Sequence, residues 1–188
     1  MLANNSMTEM HLHCHPARLS NSVSAIDVRL AVTDEGCLTA VYTLSGSLAG
    51  LQLPDPAAPT RRDRLWQETC AELFIAKLGG DEGYLEFNFS PSTAWAAYRF
   101  DAYRSGMTPL DIATPDIKME VSDSVIEVTA AMQLPIAWQL PALRVGVSMV
   151  IREKNDNVSY WAIAHPPGKP DFHHRDCFAL HLKARSAA

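Results

Sequence analysis

The residues best able to do chemistry stand on two adjacent segments rich in alternating apolar positions. In Cys70–Lys77, Leu73 and Ile75 share one face; in Tyr84–Ser90, Leu85, Phe87 and Phe89 share one face. If both apolar sets face a core, the opposite face carries Glu72, Glu86, Asn88 and Ser90, because slipping by one residue inverts a whole strand. Glu68 joins them if the first strand starts early. Two carboxyls about 5–5.5 Å or ~6.5–9.5 Å apart are what retaining or inverting glycoside hydrolysis needs. Glu72 and Glu86 meet such a spacing only diagonally across a hairpin, and Glu68 and Glu72 would lie ~13 Å apart on an extended strand. The simpler alternative is a solvated outer surface.

Rings and cations follow. In Trp95–Phe100, Trp95 and Arg99 lie on one face and Tyr98 and Phe100 on the other; in Ser159–His165, Trp161 and His165 share a face. Trp66 stands just before the Glu72 strand, in a loop or strand start where an indole can move onto a ligand. A face holding Trp, Arg, Glu, Asn and His suits a cyclic polyhydroxylated ligand, whose C–H faces stack on rings while planar polar groups bond its hydroxyls. The competing arrangement is a buried Arg99–Glu ion pair with tryptophans plugging the core, and parity leaves both open. The run from Ala164 to Arg175 holds Pro166, Pro167 and Pro170, which stiffen the backbone carrying His165, Lys169, Asp171 and His173. It reads as a recognition loop at one end of the fold or as a structural crossover.

The elements that must position these groups are strands. Period-2 alternation between turn residues predicts Glu9–His15, Val23–Thr33, Gly36–Ser45, Cys70–Lys77, Tyr84–Ser90, Trp95–Phe100, Ile117–Ser122, Val125–Leu134, Leu143–Arg152, Ser159–His165 and Phe178–Leu182. No segment sustains the apolar spacing of a long helix. The expected fold is all-β: a single-domain, two-sheet antiparallel β-sandwich of jelly-roll or immunoglobulin-like type over residues 1–188, with 1–8 a loose tail. Leu51–Thr60, rich in Pro and Ala, reads as a surface loop.

Composition narrows the function. The chain has 188 residues, 47% hydrophobic and 20% charged, with net charge −5, so it holds enough apolar material for one core. The acidic balance argues against nucleic acid as a partner, and no apolar run reaches the ~18–20 residues of a membrane span. The N-terminal residues show neither the basic start nor the apolar middle of a secretory signal, so a cytoplasmic location is expected. Cys14, Cys37, Cys70 and Cys177 form no CxxC pair and, each within an apolar or alternating stretch, read as reduced, buried thiols. His11, His13 and His15 share a strand face and read as solvent-facing, with no metal site expected. No GxSxG, HExxH or phosphate-loop motif is present, and a non-enzymatic role is expected.

Leu65-Trp66-Gln67-Glu68 through Glu72-Leu73-Phe74-Ile75, Tyr84-Leu85-Glu86-Phe87-Asn88-Phe89-Ser90-Pro91 and Trp95-Ala96-Ala97-Tyr98-Arg99-Phe100 together resemble the DOMON-like superfamily. The branch is similar to family 9 carbohydrate-binding modules. Ser159-Tyr160-Trp161-Ala162 with His165-Pro166-Pro167-Gly168-Lys169-Pro170-Asp171-Phe172-His173 looks like the signature of a bacterial subgroup. The resemblance implies a β-sandwich that binds a sugar or short glycan, with Trp66 and Trp161 in the place of two stacking tryptophans and Glu68 and Arg99 bonding hydroxyls. No cofactor is expected on this reading. The alternatives are a haem-binding domain, with His165, His173 or Met149 as axial ligands, and a glycan-active enzyme using Glu72 and Glu86.

Overall fold

The computed structural model describes residues 7–139 and 142–183, and among these it holds twelve antiparallel strands with only short 3₁₀ turns between them. One sheet contains β1 (Met7–Cys14), β2 (Val23–Val32), β3 (Cys37–Gly46), β8 (Asp116–Val121) and β9 (Val125–Gln133). The other contains β4 (Cys70–Lys77), β5 (Tyr84–Phe89), β6 (Trp95–Phe100), β7 (Thr108–Pro109), β10 (Leu143–Arg152), β11 (Val158–Ala162) and β12 (Leu180–Leu182). The path β7-β6-β5-β4-β10-β11-β1-β2-β3-β9-β8 is continuous, with β12 paired to β10. β1 joins the two halves: Met7–Leu12 pair with β2, and His13 and Cys14 pair with β11. Strands that switch sheets in this way turn the corners of sandwiches.

All eleven expected strands are present, and Thr108–Pro109 is added. β1 begins at Met7, inside the expected tail; residues 1–6 lie outside the described residues. β11 ends at Ala162, three residues short of His165.

The two halves differ in how many faces they bury. In β3 and β9 buried and half-buried residues alternate, as in a sheet with one face packed and one wet. In β4 and β5 both parities are buried. Leu73, Ile75, Leu85, Phe87 and Val147 meet Ile26, Leu30, Tyr42, Leu44 and Val128 in the core between the sheets. Tyr42 also donates its hydroxyl to the Glu72 carbonyl oxygen across that core, at 2.9 Å. The outer face of the second sheet carries a second cluster, with Phe74, Tyr84, Tyr98, Phe100 and Val150 packed against Leu65, Phe172 and Phe178 from loops. Gly146 makes this close approach possible: a Cβ there would meet the Phe178 ring at 2.9 Å. That loop-covered outer face is where the chemistry-bearing residues gather.

Candidate functional site

An open trough of about 1810 Å³ runs over the outer face of the second sheet. Its floor is set by strand alternation: Glu72 and Phe74 from β4, Glu86 from β5, Tyr98 and Phe100 from β6, Val150 from β10 and Tyr160 from β11. Its walls are the 52–68 loop, the turn carrying Arg104, and Pro170–His173.

Trp66 owes its position to a short turn. Arg64 takes a left-handed conformation (φ 64°), and the 3₁₀ turn Leu65–Gln67 follows. Leu65 is buried in the outer-face cluster, so the next side chain, Trp66, points outward and is 50% exposed on the trough rim. Arg152 holds the turn by donating to the Gln67 carbonyl at 3.3 Å. Beside it Arg62 and Glu68 form an ion pair at 2.7 Å. Arg104, at the far wall, also has positive φ (51°). A non-glycine residue in that region costs conformational energy that the surroundings must offset, and such residues concentrate at functional loops.

The acids of the trough fall into two groups. Glu68 is paired with Arg62, Asp63 accepts from the Tyr98 hydroxyl at 2.7 Å, and Asp171 accepts from Arg104 at 2.8 Å and from the Tyr103 hydroxyl. Burial pushes Asp171 upward, but the bonds from Tyr103 and Arg104 outweigh it and leave it below the usual carboxylate range. Glu72 and Glu86 behave oppositely. Burial, and then the neighbouring Glu86, hold Glu72 well above its ordinary value, with only Ser148 Oγ at 3.5 Å against it. Burial raises Glu86 as well, although Asn88 Nδ2 donates to it at 2.6 Å and Arg104 acts in the other direction.

At the aromatic end Tyr84 stacks on Phe100, centroids 4.7 Å apart, and His173 sits edge-on to Phe74 and Phe100. The Tyr84 hydroxyl and His173 Nδ1 share a hydrogen bond of 2.8 Å. Burial, reinforced by Arg104, lowers His173 to about 4, so its imidazole is neutral near pH 7. Burial raises Tyr84 to about 12, so it keeps its proton.

The trough therefore brings together Trp66, Glu68, Glu72, Glu86, Asp171 and His173, with Asn88 sealed beneath, bonded to Glu86. Five expected residues lie elsewhere. Trp95 and Trp161 are 6% and 5% exposed on the opposite face of the sheet, in the core between the layers. Their rings are plugs: Trp161 Nε1 donates to Ser159 Oγ at 3.0 Å, and Trp95 Nε1 has no hydrogen-bond partner among the described residues. Arg99 shares Trp95's parity, is exposed, and lies 3.8 Å from Asp101. The alternative of a buried Arg99–Glu pair is absent among the described residues. His165, beyond the end of β11, bonds the His13 carbonyl at 2.8 Å and packs edge-on against His15. Lys169 is exposed and does not line the trough. Met149 is sealed in the core between the sheets, on the face opposite His173, so the two cannot flank one haem.

Arg61, Arg62, Arg104 and Arg152 were not singled out from sequence. Arg61 donates to the carbonyls of Leu110 and Ala97 at 3.2 and 2.8 Å, and its guanidinium lies 5.5 Å from the ring centroids of both Trp95 and Tyr98. The dense charge of Arg61-Arg62-Asp63-Arg64, immediately before the exposed indole, was the available signal.

The fold has solved counterparts. A protein from Bacteroides uniformis, provisionally described as carbohydrate-binding, superposes with a TM-score of 0.61 at 12% identity, over 93% of this chain and 84% of that one. A family 9 carbohydrate-binding module from Caldicellulosiruptor kristjanssonii, solved in complex with glucose, gives a TM-score of 0.50 at 14% identity, over 94% and 87%. No family model and no curated protein matches the sequence. The likeness is one of fold.

Proposed function

We propose that the trough on the outer sheet face binds a sugar or short glycan and does not transform it. The observation that carries this is Trp66: an indole half-exposed on the rim of a polar, open trough, held outward by a buried Leu65 and by the Arg152 guanidinium donating to the Gln67 carbonyl. Its ring offers a stacking face for sugar C–H groups. The Arg62–Glu68 pair next to it offers donors and acceptors to hydroxyls. The fold shared with a module solved with glucose supports the same reading.

A binding role fits the acids better than hydrolysis does. A hydrolase separates its two carboxyls, keeping one protonated and the other ionised. Here burial raises both Glu72 and Glu86, Glu72 the more strongly, rather than pushing one up and the other down. One stacking face and a few hydrogen bonds give roughly micromolar to millimolar affinity.

Calorimetric titration with glucose and short glucans tests the reading. The wild-type protein binds at least one of them, and Trp66→Ala weakens that binding about tenfold or more while the melting temperature stays put. Equal affinity in the folded Trp66→Ala variant, or no binding across a panel of neutral and amino sugars, overturns it.

A further inference from the structure

We propose that the floor of this trough is a subsite for a protonated amine, so that the preferred sugar carries an amino group; the assignment deepens the sugar-binding reading and rests on it. The carrying residue is Glu72. It is 3% exposed on the central strand β4 and borders the trough. One oxygen, Oε2, has a single long contact, Ser148 Oγ at 3.5 Å. The other, Oε1, has no hydrogen-bond partner among the described residues. Glu86 stands diagonally across the β4–β5 pairing, since Glu72 faces Asn88 and Phe74 faces Glu86. Its Oε1 is taken by Asn88, and its Oε2 lies 3.8 Å from a neutral His173 nitrogen, beyond hydrogen-bond reach. Two buried carboxyl groups thus each present an oxygen without a donor to one space.

Among the described residues four of the five arginines lining the trough are engaged elsewhere, and the fifth, Arg64, is exposed to solvent on the turn before Trp66. Arg104 is bound to Asp171, Arg62 to Glu68, Arg61 to two backbone carbonyls and Arg152 to the Gln67 carbonyl. An ammonium group brings three donors and one positive charge, matching acceptors that are otherwise short of both. The rings of Phe74 and Tyr98 line the same floor, and aromatic walls favour a desolvated cation further. A neutral hydroxyl could bond one oxygen but brings no positive charge to favour the ionised form of either carboxyl.

Proton balance supplies a signature. In the empty trough burial, and then the neighbouring Glu86, favour the protonated form of Glu72. An entering ammonium favours its ionised form, so the new contact is R–NH₃⁺ against a carboxylate, and the displaced proton goes to water. Binding therefore strengthens with rising pH until the amine itself loses its proton. The titratable groups coupled to Glu72 are Tyr42 across the core, Cys70 on its own strand and Glu86 from β5; Glu68, Tyr98, Arg104, Arg152, Asp171 and His173 line the trough around it, and Tyr84 bonds His173. The thiol and the three phenols are pushed upward, and His173 downward, so none of these changes charge near pH 7, while burial raises Glu86 as it does Glu72.

The test is calorimetry with glucosamine, glucose, N-acetylglucosamine and cyclohexylamine, in two buffers of different ionisation enthalpy. We expect glucosamine to bind about tenfold tighter than glucose or N-acetylglucosamine, the scale of one charge-assisted bond, with release of a proton. Glu72→Gln is close in shape to the protonated side chain; it brings the glucosamine-to-glucose ratio near one and abolishes proton release. Should that variant fail to melt cooperatively, Glu86→Gln serves with the same readouts. Glucosamine binding no tighter than glucose, or a preference that survives in the folded Glu72→Gln variant, overturns the inference. Glucose binding that depends on Trp66 without any amine preference leaves the sugar reading standing alone. Glu72-dependent binding of cyclohexylamine with no sugar bound ends the sugar reading, and the amino-sugar assignment with it. Silence from all four ligands overturns both.

Discussion

Two buried glutamates at different places in the fold make the most instructive comparison. Glu153, just past β10, is 1% exposed, and its carboxylate is crowded with donors. Oε1 accepts from Ser20 Oγ at 2.7 Å and from the backbone N–H groups of Asn21 and Ser22 at 2.8 and 3.2 Å, while Oε2 accepts from Asn21 Nδ2 at 3.2 Å. Glu72 is buried almost as deeply and has one contact at 3.5 Å. Burial pushes both upward, yet the bonds on Glu153 reverse it and leave that group below its ordinary value, whereas Glu72 stays well above. Burial alone does not separate a structural carboxylate from one kept for a ligand; the donors arranged around each oxygen do. The tryptophans show the same opposition, Trp161 being locked in the core and Trp66 open on the trough.

Stability measurements sharpen this contrast, and the largest effect belongs to the core indole. Trp161→Ala should cost about 3–5 kcal/mol in denaturant unfolding, because a buried ring leaves a cavity. Glu153→Ala should follow at about 3 kcal/mol, since several donors at the 15–22 loop lose a charged acceptor. On a chain of this size that is roughly a 6–12 °C fall in melting temperature. The deficit should shrink in acid, because a lowered carboxylate contributes stability that is lost as pH falls through its folded value.

Glu72→Gln should move the other way. A carboxyl raised by folding holds its proton in the native chain while the unfolded chain loses it near the ordinary 4.5. Stability therefore falls as pH rises above that point, until the folded group also ionises. The variant should melt higher than wild type at neutral pH and equally in acid; a lower melting temperature at neutral pH would break the comparison. The smallest effect is expected for Trp66→Ala, within ~0.5 kcal/mol of wild type, as for a surface substitution.

Much of this was legible in the sequence, because alternation writes one face of a strand into every second residue. The pairing of Glu72, Glu86 and Asn88 on one face opposite Leu73, Phe87 and Phe89 followed from parity alone. Which face would hold the remaining rings did not. Trp95 shares parity with Arg99, but β6 turns that parity toward the interlayer core, and Tyr98 and Phe100 toward the trough. The outer face is itself buried by loops, so apolar residues occur on both sides and hydrophobicity no longer distinguishes inside from outside. His165 was placed with Trp161 by extending β11 through a segment that leaves the sheet at Ala162. Thr108–Pro109 is too short to show a period, and the trough's arginines sit in loops or at strand ends, where no periodicity marks them. Trp66, isolated before its strand, was readable as a mobile ring.

The central claim is that the outer face of the second sheet is the sugar site. Backbone and indole chemical-shift mapping during a glucose titration tests it most directly. The account predicts saturable shifts at the Trp66 indole, along Arg62–Gln67 and at Asp171–His173, with the Trp95 and Trp161 indoles unmoved. Shifts confined to β2, β3 and β9, or none that saturate, would contradict it.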